Sequence, residues 1–409
     1  MTRIMERLHI ERLGHHGDGI APGPVYVPGT LPGEEVEGEV AGGVVKSPRI
    51  ITPSPQRVTP PCRHAKACGG CQLQHAADGF VTSWKEDVVR RALDAQGLTC
   101  EMRATVTSPE RSRRRAGFSA RRTKKGALAG FHQKSSDVIV AVPDCRLVTP
   151  ALVNALPVVE RLAVAGASRK AELTVLVTES LSGLDVTVRG GKPVDDALRP
   201  ELATIAQQEA LARLAWDDEV LTLLPPHQRF GAALVVPPPG AFLQATAAGQ
   251  AALLAGVQEA VEGAGHVADL FAGCGTFALP LAEQARVHAV ESDAAMLDAL
   301  DKGWRMSKGL KQVTHAARDL FRNPLLPDEL SRFDAVVIDP PRAGAEAQVA
   351  EIARARVPRL AHVSCNPVTF AREAAQLVAA GYRLDWVQVV DQFRWSTHVE
   401  MVAAFRLED

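Results

Sequence analysis

The chain has 409 residues, 46% of them hydrophobic and 23% charged, with 46 Lys or Arg against 47 Asp or Glu. At roughly 100–200 residues per domain this length predicts two to four domains with ample core, and the composition excludes disorder, collagen and coiled coil as whole-chain descriptions. No apolar run reaches the roughly 18 residues of a membrane span, and the opening MTRIMERLHIERLG lacks a hydrophobic signal core, so a cytoplasmic protein with no membrane partner is expected. Seven cysteines is an odd count, and Cys62, Cys68 and Cys71 fall within ten residues. A metal cluster plus separate thiols therefore fits better than a secreted disulfide framework.

Residues 1 to about 57 are rich in Gly, Pro and β-formers with turn punctuation every few residues, which predicts a small β-barrel. The Pro-rich TPSPQRVTPPC that follows cannot continue a strand or helix and marks a boundary leading into the cysteine group. From Trp84 to Gln96 the spacing of Val88, Val89, Ala92 and Leu93 predicts one amphipathic helix. Ten basic residues then fall between Arg103 and Lys134 against one acid, Glu110, in a predicted hairpin turning at Lys125-Gly126. In a neutral chain this is a candidate phosphate footprint, although a solvated hairpin reads equally well. A second hairpin is predicted around Ser182-Gly183, inside an α+β middle domain of residues 58–238 that ends at a triple proline.

Beyond it, residues 239–409 alternate short apolar strands (HVADLF, RVHAVE, FDAVVID, LAHVSC, HVEMVAAFRL) with Ala- and Leu-rich helices. This predicts an α/β, doubly wound, mostly parallel sheet whose ligands sit beyond the carboxyl ends of the strands. The first strand runs into Asp269-Leu-Phe-Ala-Gly-Cys-Gly-Thr276, where Gly273 and Gly275 let the backbone approach a ligand at a helix N-terminus. With Glu291 lying 18 residues beyond Gly273, the loop matches a dinucleotide fingerprint and leaves a nicotinamide enzyme open. Asp269, Asp319 and Asp339-Pro-Pro-Arg342 add acids around the loop, a set better suited to a cationic, phosphate-free nucleoside such as S-adenosylmethionine. Cys365, in the polar Ser-Cys-Asn-Pro after the fifth strand, is predicted to favour the thiolate near a helix N-terminus. Glu400 interrupts the start of an apolar strand, where a buried acid without a task is costly.

Cys62-x5-Cys68-Gly-Gly-Cys71 with a distant Cys145, Asp269-Leu-Phe-Ala-Gly-Cys-Gly, Asp339-Pro-Pro-Arg, Ser364-Cys365-Asn366-Pro367 and His398-Val-Glu400 occur in that order. Together they resemble the RNA uracil-carbon-5 methyltransferases, specifically the iron-sulfur-containing bacterial ribosomal branch, over nearly the whole chain. The resemblance implies a class I methyltransferase sheet preceded by an OB-like TRAM barrel. It implies that Cys365 adds to carbon-6 of uracil and Glu400 removes the carbon-5 proton. Gln244, Phe271, Gly273, Gly275, Thr276, Glu291, Asp319 and Asp339 would hold S-adenosylmethionine, with Glu291 on the ribose and Asp319 near the adenine. Arg342 would shape the base pocket, Arg113, Arg114 and Arg115 would meet phosphates, and Cys62, Cys68, Cys71 and Cys145 would hold a 4Fe-4S cluster. From spacing alone zinc fits those four thiolates as well as iron. The expected substrate is large-subunit ribosomal RNA, acted on by a monomer, with a transfer RNA uridine methyltransferase or an amino-methyltransferase on an RNA purine as alternatives. Two departures stand out: Thr246 replaces the Asn common in the family, predicting a lost or altered polar contact near the cofactor, and the barrel has six basic against seven acidic residues up to Arg57.

Overall fold

The computed structural model describes residues 5–408. Strands between Met5 and Thr52 form two three-stranded antiparallel sheets, which a Tyr26–Val44 bridge joins around Ile10, Val27, Val36 and Val45. A seven-stranded sheet makes the middle of the molecule, with the hairpin Arg115–Arg122 to Ala127–His132 on one side and Glu172–Ser180 to Gly183–Arg189 at its centre. Both turns fall where the sequence puts them. The helix Leu156–Gly166 packs on this sheet through Leu156, Val159 and Leu162.

The C-terminal sheet has eight strands, in the spatial order Val313–Ala317, Arg286–Glu291, His266–Leu270, Ala335–Ile338, Arg359–Ser364, Met401–Leu407, Tyr382–Asp391 and Glu101–Thr107. The first five are parallel, and Met401–Leu407 runs antiparallel to both of its neighbours. Alternate residues of one strand feed opposite cores: Val267 packs into one and Ala268 and Leu270 into the other, which is why these strands are apolar throughout. Helices Ala247–Ala260 and Ala294–Met306 cover the first face, and Glu346–Ala355 and Pro367–Ala379 the second.

The boundary expected at residue 238 does not divide the molecule cleanly. Strand Glu101–Thr107 joins the eight-stranded sheet at its edge, parallel to Tyr382–Asp391, and helix Asp78–Asp94 buries Val89 and Leu93 in the core on its second face. The physical reason is edge coverage. A long strand left at the rim would present unpaired N–H and C=O groups, and the earlier segment supplies the partner. Among the described residues no helix is long and apolar enough to cross a membrane.

Candidate active site

Beyond strand His266–Leu270 the backbone turns through Phe271 (φ 61°), Gly273 (φ 55°) and Gly275 (φ 95°). A non-glycine residue held left-handed costs about 1 kcal/mol or more and marks a constrained loop. The Phe271 ring meets that of Phe321 at 5.4 Å, and Asp319 accepts the Phe321 amide N–H at 3.0 Å, so the three residues form one wall. Glu291 closes the opposite side: its Oε2 accepts the Gly273 N–H at 3.1 Å, and its Oε1 accepts the Ser292 and Asp293 amides. That contact occupies an amide a pyrophosphate would need, and the helix after the loop, Ala278–Leu281, is a single turn rather than an extended anion-binding N-terminus. Thr276 lies half-buried in the intervening turn.

Acids cluster at the strand ends. Asp269 is fully buried with neither carboxylate oxygen in a hydrogen bond of normal geometry, and burial together with Asp339 holds its proton affinity well above the carboxylate range. Burial pushes Asp339 up to about 7. Glu400, buried and beside Asp339, is pushed up to about 8, with a hydrogen bond from Gln392 opposing. Such a cluster is costly in an empty pocket and becomes favourable around a cation. The donor set therefore fits a sulfonium nucleoside and does not suit a dinucleotide.

Register brings Cys365 and Glu400 together. Strands Arg359–Ser364 and Met401–Leu407 are antiparallel with Ser364 opposite Met401, so the next residues, Cys365 and Glu400, leave the sheet side by side. Asn366 caps helix Pro367–Ala379 through the Val368 amide and donates from Nδ2 to the Arg342 carbonyl at 3.0 Å, tying the Asp-Pro-Pro-Arg turn to the Cys365 turn. The expectation of a stabilised thiolate needs correction. Burial, Glu400 and Asp339 push the Cys365 thiol up and only Arg342 and the local backbone pull it down, so a helix N-terminus already capped by Asn366 does not prevail.

Gln244 is buried at the centre, donating to Asp339 Oδ2 at 3.4 Å. Thr246 faces away from the cofactor loop in its contacts: its hydroxyl accepts the Gly249 amide as the cap of helix Ala247–Ala260 and hydrogen-bonds Ser108. Arg113, Arg114 and Arg115 are half-buried and partnered within the protein. Arg113 donates to the Arg115 carbonyl, Arg114 to the Gln244 carbonyl and Gln250 Oε1, and Arg115 to the Gly240 carbonyl. They staple the Gln244 segment rather than forming an open basic strip, while Arg111, Lys124 and Lys125 stay exposed. Phe321 and Gln392 escaped the sequence reading, since an isolated Phe or Gln in a loop carries no periodic signal.

The four cysteines expected to bind a cluster are all free. Among the described residues no group of three or more His, Cys, Asp or Glu side chains converges as a ready-made metal site. Cys68, Cys71 and Cys145 nevertheless pack at one core, and the Cys71 thiol lies within electrostatic reach of Cys62, Cys68 and Cys145. Amide hydrogens of Gly70 and Leu147 point at the Cys68 and Cys145 sulfurs at 3.4 Å, the type of donor that supports cluster thiolates. The donor chemistry thus fits an iron-sulfur group, although the ligands must draw together around it. Cys274 is buried core filling and Cys100 is half-buried against the second core.

Residues 237–406 match the tRNA (uracil-5-)-methyltransferase family. An uncharacterized RNA methyltransferase of Rhizobium meliloti is 46% identical over 96% of this chain and 97% of its own length. The 23S rRNA (uracil(1939)-C(5))-methyltransferase of Pseudomonas fluorescens is 34% identical over 99% of this chain and 92% of its own. Among solved structures, the tRNA (uracil-54, C5)-methyltransferase of Pyrococcus abyssi, in complex with S-adenosyl-L-homocysteine, superposes with a TM-score of 0.77 at 22% identity, covering 98% of this chain and 99% of that one. That likeness establishes a shared class I methyltransferase fold. By sequence, this chain belongs to the RNA (uracil-5-)-methyltransferases.

Proposed function

We propose that this enzyme methylates carbon-5 of a uridine in large-subunit ribosomal RNA through a transient bond between Cys365 and carbon-6. The observation that carries the reading is the register that sets Cys365 beside Glu400, with Asp339 and Arg342 in electrostatic reach of the thiol. Carbon-5 of uracil is a poor nucleophile until the ring is an enolate. The Cys365 thiol gives up its proton to solvent, and addition of its sulfur to carbon-6 then drives the ring electrons toward the carbonyl and makes carbon-5 nucleophilic. S-adenosylmethionine supplies the methyl group as a sulfonium and leaves as the neutral thioether. Glu400 then takes the carbon-5 proton, and the electron pair of that C–H bond restores the ring double bond and expels the Cys365 sulfur. Glu291 binds the ribose hydroxyls, the wall of Phe271, Asp319 and Phe321 receives the adenine, and Gln244, Gly273, Gly275 and Thr276 line the remainder. Asp339 faces the methionine end and, with Arg342, the base. The base must leave its stack to reach Cys365, so a single-stranded loop or a flipped uridine is the target.

The 23S ribosomal RNA named for the Pseudomonas relative favours a ribosomal over a transfer RNA substrate. The barrel of residues 5–52 acts in this reading as a TRAM-type RNA-binding module, and exposed Lys124 and Lys125 at the hairpin tip supply phosphate contacts. Cys62, Cys68, Cys71 and Cys145 hold a 4Fe-4S cluster with a structural role, because methyl transfer from a sulfonium to an enolate consumes no electron. Mass-spectrometric mapping of methylated uridines in ribosomal and transfer RNA from a strain lacking the gene tests the substrate. Loss of a 5-methyluridine from 23S RNA alone is expected, and loss from transfer RNA alone would overturn the ribosomal assignment.

A further inference from the structure

We infer that Gln392 is a positioning residue for the base: its side-chain amide fixes Glu400 for proton removal and couples it to the cofactor side of the pocket through Gln244. The inference rests on the reading of Cys365 as nucleophile and Glu400 as base.

Gln392 directly follows strand Tyr382–Asp391 and is 1% exposed. Its Oε1 accepts the Ala245 N–H at 2.7 Å, and its Nε2 donates to Gln244 Oε1 at 2.5 Å and to Glu400 Oε2. Gln244 in turn donates to Asp339, so one unbroken chain of hydrogen bonds runs Asp339–Gln244–Gln392–Glu400. The Ala245 amide needs an acceptor, so exchanging the amide oxygen and nitrogen of Gln392 would set N–H against N–H. The orientation that points a donor at Glu400 is therefore dictated by the backbone. Position is fixed too. A Cβ on Gly249 would stand 2.6 Å from Gln392 Cβ, so the first turn of helix Ala247–Ala260 sits directly against it. On the other side, the neighbouring Asp391 is anchored by the buried Lys85 at 2.6 Å.

One Glu400 oxygen is taken by Gln392, and the other is left for the carbon-5 proton. The charged and titratable groups around Glu400 are the Asp339 carboxyl, the Cys365 thiol, the Arg342 guanidinium beyond that thiol, the Lys85–Asp391 pair behind Gln392, and His398 two residues back in the chain, whose imidazole is held neutral by burial and by Arg342 and Lys85. Burial and Asp339 both favour protonated Glu400, and the Gln392 N–H is the hydrogen bond that opposes them. Losing it raises the proton affinity of Glu400 further, so that a smaller fraction of the base is the carboxylate that can act at neutral pH.

The test compares turnover from pH 6 to 10, and covalent protein-RNA adduct on denaturing gels, using a full-length 23S transcript and S-adenosylmethionine. Wild type, Gln392→Met, Gln392→Glu and Glu400→Gln are assayed in parallel. Gln392→Met keeps side-chain length and removes both donors, and Gln392→Glu keeps the acceptor for Ala245 while losing the donors, so either variant serves if the other does not fold. Both are expected to move the acid limb of kcat upward by about one pH unit, as loss of a hydrogen bond to a charged group requires. At pH 7 they accumulate adduct with turnover down about tenfold; at pH 9 the adduct resolves and turnover recovers, with KM for RNA unchanged throughout. Turnover depressed equally at every pH, or an unshifted profile beside a Glu400→Gln enzyme that does trap adduct, would overturn the role of Gln392 alone. A Glu400→Gln enzyme that turns over normally without adduct removes the base assignment itself, and this inference with it.

Discussion

Asp269 and Glu400 are buried within electrostatic reach of the half-buried Asp339, and each of the three holds its proton more tightly than an ordinary carboxyl. In the unfolded chain such groups titrate near pH 4. Between about pH 4.5 and pH 8 the folded enzyme retains a proton on Glu400 that the unfolded chain releases, so stability falls as pH rises through that window. Glu400→Gln removes this contribution. Without ligand, the variant should match wild type near pH 5 and be more stable by roughly 2–4 kcal/mol above pH 8, read from thermal midpoints across the range. Parallel midpoint curves would contradict the burial of an unpaired charge at this position. The same electrostatics explain why the thiol was misjudged from the sequence. Ser-Cys-Asn-Pro after a strand shows a helix start, but not that Asp339 and Glu400 fold against it. Gln392 was invisible for a related reason, since a polar residue between Asp391 and Phe393 reads as surface until its three partners, all distant in sequence or across a loop, are known.

At the level of elements, the loop joining Tyr382–Asp391 to Met401–Leu407 carries Glu400 and is pinned from outside the catalytic domain. Lys85, on helix Asp78–Asp94, reaches Asp391 and the Phe393 carbonyl, Arg394 pairs with Asp78, and the Gln72 and Leu73 amides donate to the Trp395 carbonyl. Breaking the buried pair is the severe perturbation: Lys85→Ala leaves Asp391 uncompensated and should cost about 3–5 kcal/mol, seen as a lowered unfolding midpoint. A loss below about 1 kcal/mol, the value of an exposed pair, would mean that the loop is held elsewhere. The apolar strands after His266 were legible because burial on both faces leaves a near-continuous hydrophobic run. Glu101–Thr107 was not, since its side chains alternate between half-buried and exposed, and its partner Tyr382–Asp391 lies more than half the chain away. Predicted pairing of the basic residues with phosphate failed to separate Arg113–Arg115, which fold inward, from Lys124 and Lys125, which do not.

Across the whole molecule, the order of motifs carried the family assignment, whereas the contacts between cysteine loop and catalytic loop appear only in three dimensions. Cys71 immediately precedes the two residues whose amides hold Trp395, so a group gathering Cys62, Cys68, Cys71 and Cys145 would brace the loop bearing Glu400. Protein purified without oxygen should contain iron and acid-labile sulfide in about equal amounts, near four of each per chain for one cluster. Stoichiometric zinc without iron would reassign the four thiols to a tetrahedral zinc site.

Cys365 and Glu400, set side by side by the Ser364–Met401 register, are proposed to perform the first and last covalent steps on one uracil ring. Glu400→Gln can form the bond to carbon-6 and receive the methyl group but cannot remove the carbon-5 proton, so it should stay bonded to its RNA. Incubated with 23S transcript and S-adenosylmethionine, it is predicted to give a protein-RNA band that survives denaturing electrophoresis and disappears when Cys365→Ala is added. Wild-type turnover by Glu400→Gln with no such band, or a band that persists without Cys365, would contradict the assignment of both residues.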